Sequence, residues 1–312
     1  MIRVLFRCGV DPNSRLRWLV HPDPEALEEA AAAFDREGAD RSSLSTDFSR
    51  VVSSIRIGRV HKLTCGNRLD EANHALGRFL AERGGDPVRL LDVGASDGTT
   101  TLDMVHMLES TLRVEVQATL MDRYTRLECR GRGPIREYRM PDGSPVMLRL
   151  GPIGLQLSSL EATRDPVSRW LGRAWLSRRA RRESMPLART LGLISPAVRE
   201  ARIRVLEWNA LEGNGSLAGG FDAIRASNVL NESYFSRGQI EQILAHLHSY
   251  LKADGLLLVS RNLADPTGEL DQGSLWKRNP GGFERVHDYG GGSYVAAIVD
   301  ELRLPTAAAE AR

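Results

Sequence analysis

The chain has 312 residues, 42% of them hydrophobic, which is enough to bury the core of one large domain or two small ones. A formal net charge of +2 argues against a dedicated binder of polyanions. No apolar run reaches the roughly 18 residues of a membrane span, and the N-terminus is too short for a secretory signal. The cysteines, Cys8, Cys65 and Cys129, are widely spaced and odd in number, so we expect a protein of the reducing cytoplasm without a structural metal.

Residues 1–85 are predicted to form a helical N-terminal cap. Asp23-Pro24-Glu25 is typical of a helix start, and helices are expected at residues 23–34, 42–52 and 69–82. The segment 56–64 between the second and third helices is cationic and contains Arg59, His61 and Lys62. It is either a solvated connector or a lid whose Arg59 and Lys62 meet a carboxylate of a cofactor or substrate.

Residues 88–122 predict one strand–helix–strand unit. The apolar run 88–93 indicates a buried strand, Gly94 and Gly98 mark a loop, and residues 99–108 have helical periodicity. Alternation over 112–121 predicts a second strand that ends at Asp122. Glycine in such a loop allows a ligand to approach the backbone, so the unit is typical of a nucleotide-like site.

Residues 123–201 are predicted to be an insertion that helps to recognise the substrate. Strands at 136–140 and 146–150 flank a turn sequence, which indicates a β-hairpin. A helix over 165–182 carries Trp170 and Trp175, and residues 164–189 contain eight arginines against two acids. This helix is either a solvated face with inward-packed tryptophans or a surface for nucleic acid, an anionic substrate or a membrane.

Alternation of strands and helices resumes after residue 202. Strands are expected at 203–208, 221–227 and 256–260, a helix at 237–251, and a closing hairpin at 283–289 and 293–299. With the two earlier strands this predicts an α/β fold, a doubly wound, mostly parallel, Rossmann-like sheet of seven strands. The core spans 86–304, with the β-hairpin and helix of 123–201 inserted, and 305–312 form a tail.

The strand ends carry the residues that define the ligand. Asp122 can accept hydrogen bonds from a ribose diol, which favours an adenosine with free hydroxyls. The loop departs from the dinucleotide fingerprint G-x-G-x-x-G, because Gly94-Ala-Ser-Asp-Gly98 reads G-x-x-x-G and the third glycine is missing. Asp92 and Asp97 around the loop disfavour a pyrophosphate and favour a cationic group such as an ammonium or a sulfonium.

These residues resemble a known family. Leu91-Asp-Val-Gly-Ala-Ser-Asp-Gly-Thr99 is similar to the first motif of class I S-adenosylmethionine-dependent methyltransferases, and Asp122 stands where that family has its ribose-binding acid. Trp208-Asn209-Ala210 resembles the adenine segment, and residues 221–230 and 251–259 resemble the fourth and fifth motifs. The resemblance implies S-adenosyl-L-methionine as cofactor. It implies contacts from Asp92, Gly94, Ala95, Ser96, Asp97, Gly98, Thr99, Asp122, Asn209, Ala210, Ser227 and Asn228.

The resemblance further implies in-line methyl transfer to a nucleophile aligned in a water-poor site. A likeness of residues 228–235 to chemotaxis-receptor carboxyl methyltransferases favours an oxygen acceptor, and we expect that acceptor to be a small molecule. Asn231, Glu232 and Tyr234 are the candidate catalytic residues, although Glu232 can instead begin the next helix and Asn231 can cap it. His61 and His287 are alternative bases.

Three other functions stay open. A nucleic-acid or protein methyltransferase would use the arginine-rich insertion. A binding protein would retain the cofactor without turning it over. A serine hydrolase would use Gly94-Ala-Ser96-Asp-Gly98 as a nucleophile elbow, with Asp265 or Asp271 and His287 completing a triad.

Overall fold

The structure is a computed structural model. It describes residues 2–6, 20–22, 24–36, 38, 40–57, 60–61, 69–82, 87–158, 160, 166–179, 185–201, 203–265 and 268–305. Arg59 and Lys62 of the predicted lid, and the side chain of His61, lie outside the described residues.

The described residues form sixteen β-strands. In chain order these are β1 (Ile2–Phe6), β2 (Val20–Pro22), β3 (Arg56–Ile57), β4 (Val60–His61), β5 (Val88–Val93), β6 (Val116–Asp122), β7 (Arg126–Arg132), β8 (Ile135–Arg139), β9 (Pro145–Leu150), β10 (Ile153–Gln156), β11 (Leu187–Gly192), β12 (Arg204–Glu207), β13 (Phe221–Ser227), β14 (Leu251–Asp265), β15 (Gly268–Asn279) and β16 (Gly282–Tyr289).

Eight α-helices occur in the same described residues. They are α1 (Ala26–Phe34), α2 (Arg41–Ser54), α3 (Asp70–Ala81), α4 (Thr99–Leu112), α5 (Pro166–Arg179), α6 (Pro196–Glu200), α7 (Arg237–Tyr250) and α8 (Ala296–Glu301). A short 3-10 helix covers Gly215–Leu217.

The chain divides into two compact units. Unit 1 comprises Met1–Cys65 and Tyr124–Arg199, and unit 2 comprises Gly66–Arg123 and Glu200–Arg312. In unit 1 the strands follow the order β11-β7-β8-β9-β10-β1-β2, in which every pairing is antiparallel except that of β1 with β2. The predicted hairpin at residues 136–150 is confirmed as β8 and β9.

Both faces of the unit 1 sheet are covered. Tyr138 and its neighbours pack with Leu27 of α1 and Phe48 of α2, whereas Leu148 and Leu155 pack against Trp175 of α5. Adjacent strand residues point to opposite faces, which assigns the two helical layers to opposite sides. The N-terminal segment therefore belongs to an α/β unit and is not a separate helical cap, because β1 pairs with β10 across about 150 residues of sequence.

Unit 2 contains the mostly parallel sheet, in the order β12-β6-β5-β13-β14-β15-β16. The first five strands in this order pair in parallel, whereas β15 pairs antiparallel with both β14 and β16. Leu91 and Val93 of β5 lie in a core cluster with α7, whereas Asp92 between them contacts α4. Helices thus cover both faces, and the prediction of a doubly wound, mostly parallel α/β sheet is confirmed.

One element of the predicted sheet is wrong. Residues 293–299 do not form a strand; helix α8 begins at Ala296, after three glycines that all have positive φ. The partner of β16 is instead β15, which the sequence analysis missed. A short apolar run such as 293–299 fits a buried strand and a buried helix equally well, so periodicity alone does not separate them.

Candidate functional site

The order of strands in unit 2 defines where a ligand is expected to bind. From β5 the chain continues to β6 and β12 on one side, and it later returns to β13 and β14 on the other. Ligands of such sheets bind outside the carboxyl ends of the strands, at the point where the strand order reverses. This switch point lies between β5 and β13. It brings together the loop at residues 94–98 and the segment that follows β13.

The loop after β5 has a tightly determined backbone. Gly94, Ser96 and Gly98 have φ of 70°, 60° and 86°, and the Gly94 amide donates to the Met121 carbonyl of the neighbouring strand at 2.7 Å. A Cβ at position 94 would lie 2.1 Å from Cγ2 of Val229. Gly94 is therefore required for packing of the two loops at the switch point, a reason independent of any ligand.

An acid, Asp97, lies at the N-terminus of helix α4. The carboxylate of Asp97, which is fully buried, accepts hydrogen bonds from the amide and the hydroxyl of Thr99, both at 3.0 Å. A negative charge there is stabilised by the helix dipole, and it would repel a phosphate at the same place. The Thr99 amide is therefore already paired with Asp97.

Asp122 ends β6 beside this loop. Its Oδ2 accepts a hydrogen bond from the Ser96 amide at 2.9 Å, so the loop fixes the orientation of the carboxylate. A carboxylate has about four acceptor positions, so an acid at this place can accept more than one hydrogen bond. The Ser96 hydroxyl is buried and has no hydrogen-bond partner among the described residues. A buried polar group of this kind is suited to hydrogen bonding with a ligand.

Asp92 has a different role from the one that the sequence suggested. Its carboxylate makes a bidentate ion pair with Arg225, with distances of 3.0 and 2.5 Å, and accepts from Thr101 at 2.5 Å. Arg225 also donates to Asn73 at 2.8 Å and to Thr100 at 3.2 Å. Asp92 and Arg225 are both buried. We call these five residues the closed network. Because Arg225 neutralises Asp92, this acid no longer supports a cationic ligand.

The predicted adenine segment follows β12. The Trp208 amide donates to the Asp122 carbonyl at 3.0 Å, which brings this segment to the same edge as the loop. Asn209 is held in a local turn, since its Nδ2 donates to Glu212 at 3.2 Å. The Ala210 carbonyl pairs with Nδ1 of His246 at 3.1 Å.

Ser227 and Asn228 lie at the end of β13. The Ser227 hydroxyl is 2.7 Å from that of Ser260. Asn228 has a φ of 61° and forms a reciprocal pair with Asn262, in which the two hydrogen bonds measure 3.0 and 2.9 Å. The Asn228–Asn262 pair joins the residue after β13 to β14. Asn262 and Ser260 were not singled out in the sequence.

The candidate catalytic residues lie in the turn before α7. Asn231 Oδ1 accepts from the amide and the hydroxyl of Ser233, both at 2.8 Å, and Glu232 is exposed. Neither begins nor caps the helix: Ser236 caps α7 and forms a capping box with Gln239. Tyr234 is half-buried.

Arg261 and Tyr294 were not predicted from the sequence as site residues. The guanidinium of Arg261, in β14, lies over the ring of Tyr294, 4.5 Å from its centroid. Burial raises the pKa of Tyr294 above its ordinary value, and Tyr234 raises it further. The Tyr294 hydroxyl is buried without a hydrogen-bond partner in the part of the chain that the structure describes. The sequence signal that could have identified Arg261 is its position directly after an apolar run.

The hydrolase triad is not assembled. His287 packs between Phe79 and Tyr289, with ring centroids 5.8 and 6.5 Å away, and makes no hydrogen bond to Ser96. Asp271 accepts from the Ala72 amide at 3.2 Å, at the start of α3. The side chain of Asp265 lies outside the described residues. A nucleophile needs a base within hydrogen-bond reach, so Ser96 has no such activation here.

Helix α5 of unit 1 carries the two tryptophans of the insertion. Trp175 packs inward and donates to Glu137 at 3.3 Å, whereas Trp170 is 69% exposed. The expectation that both tryptophans pack inward is therefore wrong for Trp170. Among the residues described, no helix has the length and apolarity to span a bilayer, and no three His, Cys, Asp or Glu side chains are arranged to hold a metal ion.

Comparisons with known proteins give structural likenesses alone. No family model and no curated protein matches the chain. PH0226 from Pyrococcus horikoshii aligns with a TM-score of 0.32 and 10% identity over 76% of this chain and 81% of its own. A second structure is 1,6-didemethyltoxoflavin-N1-methyltransferase from Burkholderia thailandensis, solved with S-adenosylhomocysteine. It aligns with a TM-score of 0.31 and 15% identity over 75% of this chain and 66% of its own. YcgJ from Bacillus subtilis aligns with a TM-score of 0.28 and 15% identity over 64% of this chain. The alignment covers 54% of YcgJ, so this chain spans about half of that protein. Likenesses at these TM-scores carry no argument about activity.

Proposed function

We propose that this protein is an S-adenosylmethionine-dependent methyltransferase that acts on an oxygen of a small molecule. The observation that carries the proposal is the Asp122 carboxylate, which the Ser96 amide orients at the topological switch point. Such an acid at the end of the second parallel strand accepts the hydroxyls of a ribose. The likeness of the motifs in the sequence supports the same cofactor.

The start of α4 argues for an adenosine cofactor without a pyrophosphate. Asp97 is buried at the helix N-terminus, where a dinucleotide would place its phosphates. S-adenosylmethionine carries no phosphate, and when bound it supplies a methyl group on a sulfonium whose sulfur leaves as a neutral thioether. In this proposal Asp122 holds the ribose, the Ser96 hydroxyl contacts the cofactor, and the segment 208–210 contacts the adenine.

On the acceptor side, we retain Tyr234 as the candidate catalytic residue. Asn231 has a local role in the turn with Ser233, and Glu232 is exposed, so both are weaker candidates. A carboxylate acceptor needs no base, whereas a hydroxyl acceptor must lose a proton. The few, scattered cysteines support our proposal of a reducing, cytoplasmic location.

Calorimetry with S-adenosylmethionine tests the proposal. Asp122→Asn retains an acceptor for the Ser96 amide but removes the charge, and we expect binding to weaken by about tenfold or more, because a charged acceptor is lost. Asp222→Asn is the matched control: this acid holds Lys252 at 2.8 Å at the opposite end of β13. Equal binding by the Asp122→Asn variant and the unaltered protein would contradict the proposed role.

A second candidate, a nucleic-acid methyltransferase, is favoured by one observation. Trp170 is exposed on α5, whose exposed residues include Arg173 and Arg178. Aromatic and cationic side chains together bind single-stranded nucleic acids. Titration of a labelled RNA at several salt concentrations tests this function. Salt-dependent binding that Trp170→Ala weakens would support it, and the absence of binding would exclude it.

A further inference from the structure

Arg261 has a position that structural packing alone does not explain. It lies in β14 directly after Ser260, the last residue of that strand that pairs with β13, and beside Asn262, which pairs with Asn228. Its guanidinium covers the ring of Tyr294. Gln272, opposite on β15, accepts from Nε at 2.8 Å and from Nη2 at 3.0 Å when its amide oxygen faces the arginine. These contacts hold the guanidinium at the edge where the acceptor is expected.

The charge of Arg261 is not compensated within the described residues. Arg225 has Asp92, Arg237 has Glu241 and Glu301, and Arg285 has Asp288 and Asp300. Arg261 is half-buried, yet no carboxylate of the described residues lies within ion-pair distance of it. A partly desolvated cation is costly without an anion, and a planar guanidinium suits a carboxylate with two parallel hydrogen bonds.

The surroundings of Arg261 are aromatic. Tyr294 lies beneath the guanidinium, with its ring centroid 4.5 Å away. The buried Tyr294 hydroxyl has no hydrogen-bond partner among the residues that the structure describes. An arginine over an aromatic ring is suited to an acceptor with a carboxylate on an apolar body.

We propose that Arg261 binds a carboxylate of the methyl acceptor, and that the acceptor is therefore a small carboxylic acid with an aromatic or apolar body. This inference rests on the proposed methyl transfer and specifies its substrate class. Arg261 acts in recognition here, with Tyr294 and Gln272 fixing its orientation.

Ligand-observed NMR with benzoate and benzamide tests the inference. The two probes have similar shapes, and only benzoate carries a charge. The full chain should bind benzoate, and Arg261→Met should weaken that binding about tenfold or more, since a charge-assisted pair is lost. Arg261→Lys should restore part of it. Arg237→Met, which removes an exposed arginine of the same unit, should bind benzoate as the unaltered protein does.

Each other outcome overturns the inference. These are no binding of benzoate by the unaltered protein, equal binding of benzamide, or unchanged benzoate binding in both Arg261→Met and Arg261→Gln. Thermal unfolding of every variant identifies a loss of fold. If Arg261→Met does not fold, the benzoate binding of Arg261→Lys decides instead. Calorimetry with S-adenosylhomocysteine is done in parallel. Failure to bind it would overturn the methyltransferase proposal, whereas Arg261-dependent benzoate binding would still identify a carboxylate site.

Discussion

Two groups of polar residues in unit 2 differ in how their charges and hydrogen bonds are satisfied. In the closed network, Asp92 and Arg225 neutralise each other, and Asn73, Thr100 and Thr101 add hydrogen bonds to the pair. The second group, which we call the crevice group, consists of Ser96, Asp122, Arg261 and Tyr294. Within the described residues, its two hydroxyls lack hydrogen-bond partners and its arginine lacks an acid. Residues of one chemical type thus serve folding in the first group and, in our proposal, ligands in the second.

The largest expected effect is on the closed network. Arg225→Leu leaves the buried Asp92 without its partner, and removing one member of a buried ion pair costs about 3–5 kcal/mol. Urea denaturation should show this loss in the free energy of unfolding. The double variant with Asp92→Leu should recover part of it, because no charge stays buried. An unfolding free energy unchanged by Arg225→Leu would show that the network does not stabilise the fold.

A smaller loss is expected at the loop between the two groups. Gly94→Ala places a Cβ 2.1 Å from Val229 in a backbone with a φ of 70°, which should cost about 1–3 kcal/mol. Gly133→Ala is the matched control, since Gly133 has a φ of 62° and nothing lies within 4 Å of the added Cβ. Val229→Ala should partly rescue Gly94→Ala. Equal losses at positions 94 and 133 would argue against the close packing.

The crevice group should respond in the opposite way. Ser96→Ala removes a hydroxyl that has no hydrogen-bond partner among the described residues, so the free energy of unfolding should change by no more than about 0.5 kcal/mol. Binding of S-adenosylhomocysteine should weaken by roughly 2–10-fold, the value of one hydrogen bond. Denaturation and calorimetry measure the two effects. A marked loss of stability with unchanged binding would assign Ser96 to folding.

The smallest effect is a dependence of stability on pH. Burial lowers the pKa of His248 below its ordinary value of 6.5, while its Nε2 pairs with the Asn279 carbonyl at 2.8 Å. As the pH falls, the unfolded chain therefore protonates His248 at a higher pH than the folded chain does. Stability that is present above pH 6.5 should decline as the pH falls toward the lowered value. His248→Gln should reduce that slope; the same slope in both proteins would exclude His248 as its source.

The sequence predicted those parts of unit 2 whose signals are local. The strand–loop–helix from Val88 to Leu112 was found because hydrophobic periodicity and glycines lie within one short window. Strand β15 was missed because its first half is polar, with Asp271 and Gln272 in the middle. Unit 1 was described incompletely, since β1 finds its partner β10 far along the chain.

The sequence predicted which acidic residues lie at the site, but it did not predict the contacts of each one. The acidic motif indicated Asp92, Asp97 and Asp122 together, although Asp92 is neutralised by Arg225, Asp97 accepts from the first residue of α4, and Asp122 accepts from the Ser96 amide. What separates them is the contact with Arg225, which lies 133 residues from Asp92 in sequence. Compensation between residues so far apart depends on strand pairing, and a single sequence does not contain it.

Calorimetry of the intact protein with S-adenosylhomocysteine and with NAD tests the central claim, a site for adenosine without phosphate, most directly. We predict binding of one S-adenosylhomocysteine per chain and no binding of NAD, because in our proposal Asp122 accepts the hydroxyls of a ribose, while the buried Asp97 would repel a phosphate. Binding of NAD, or failure to bind S-adenosylhomocysteine, would contradict it.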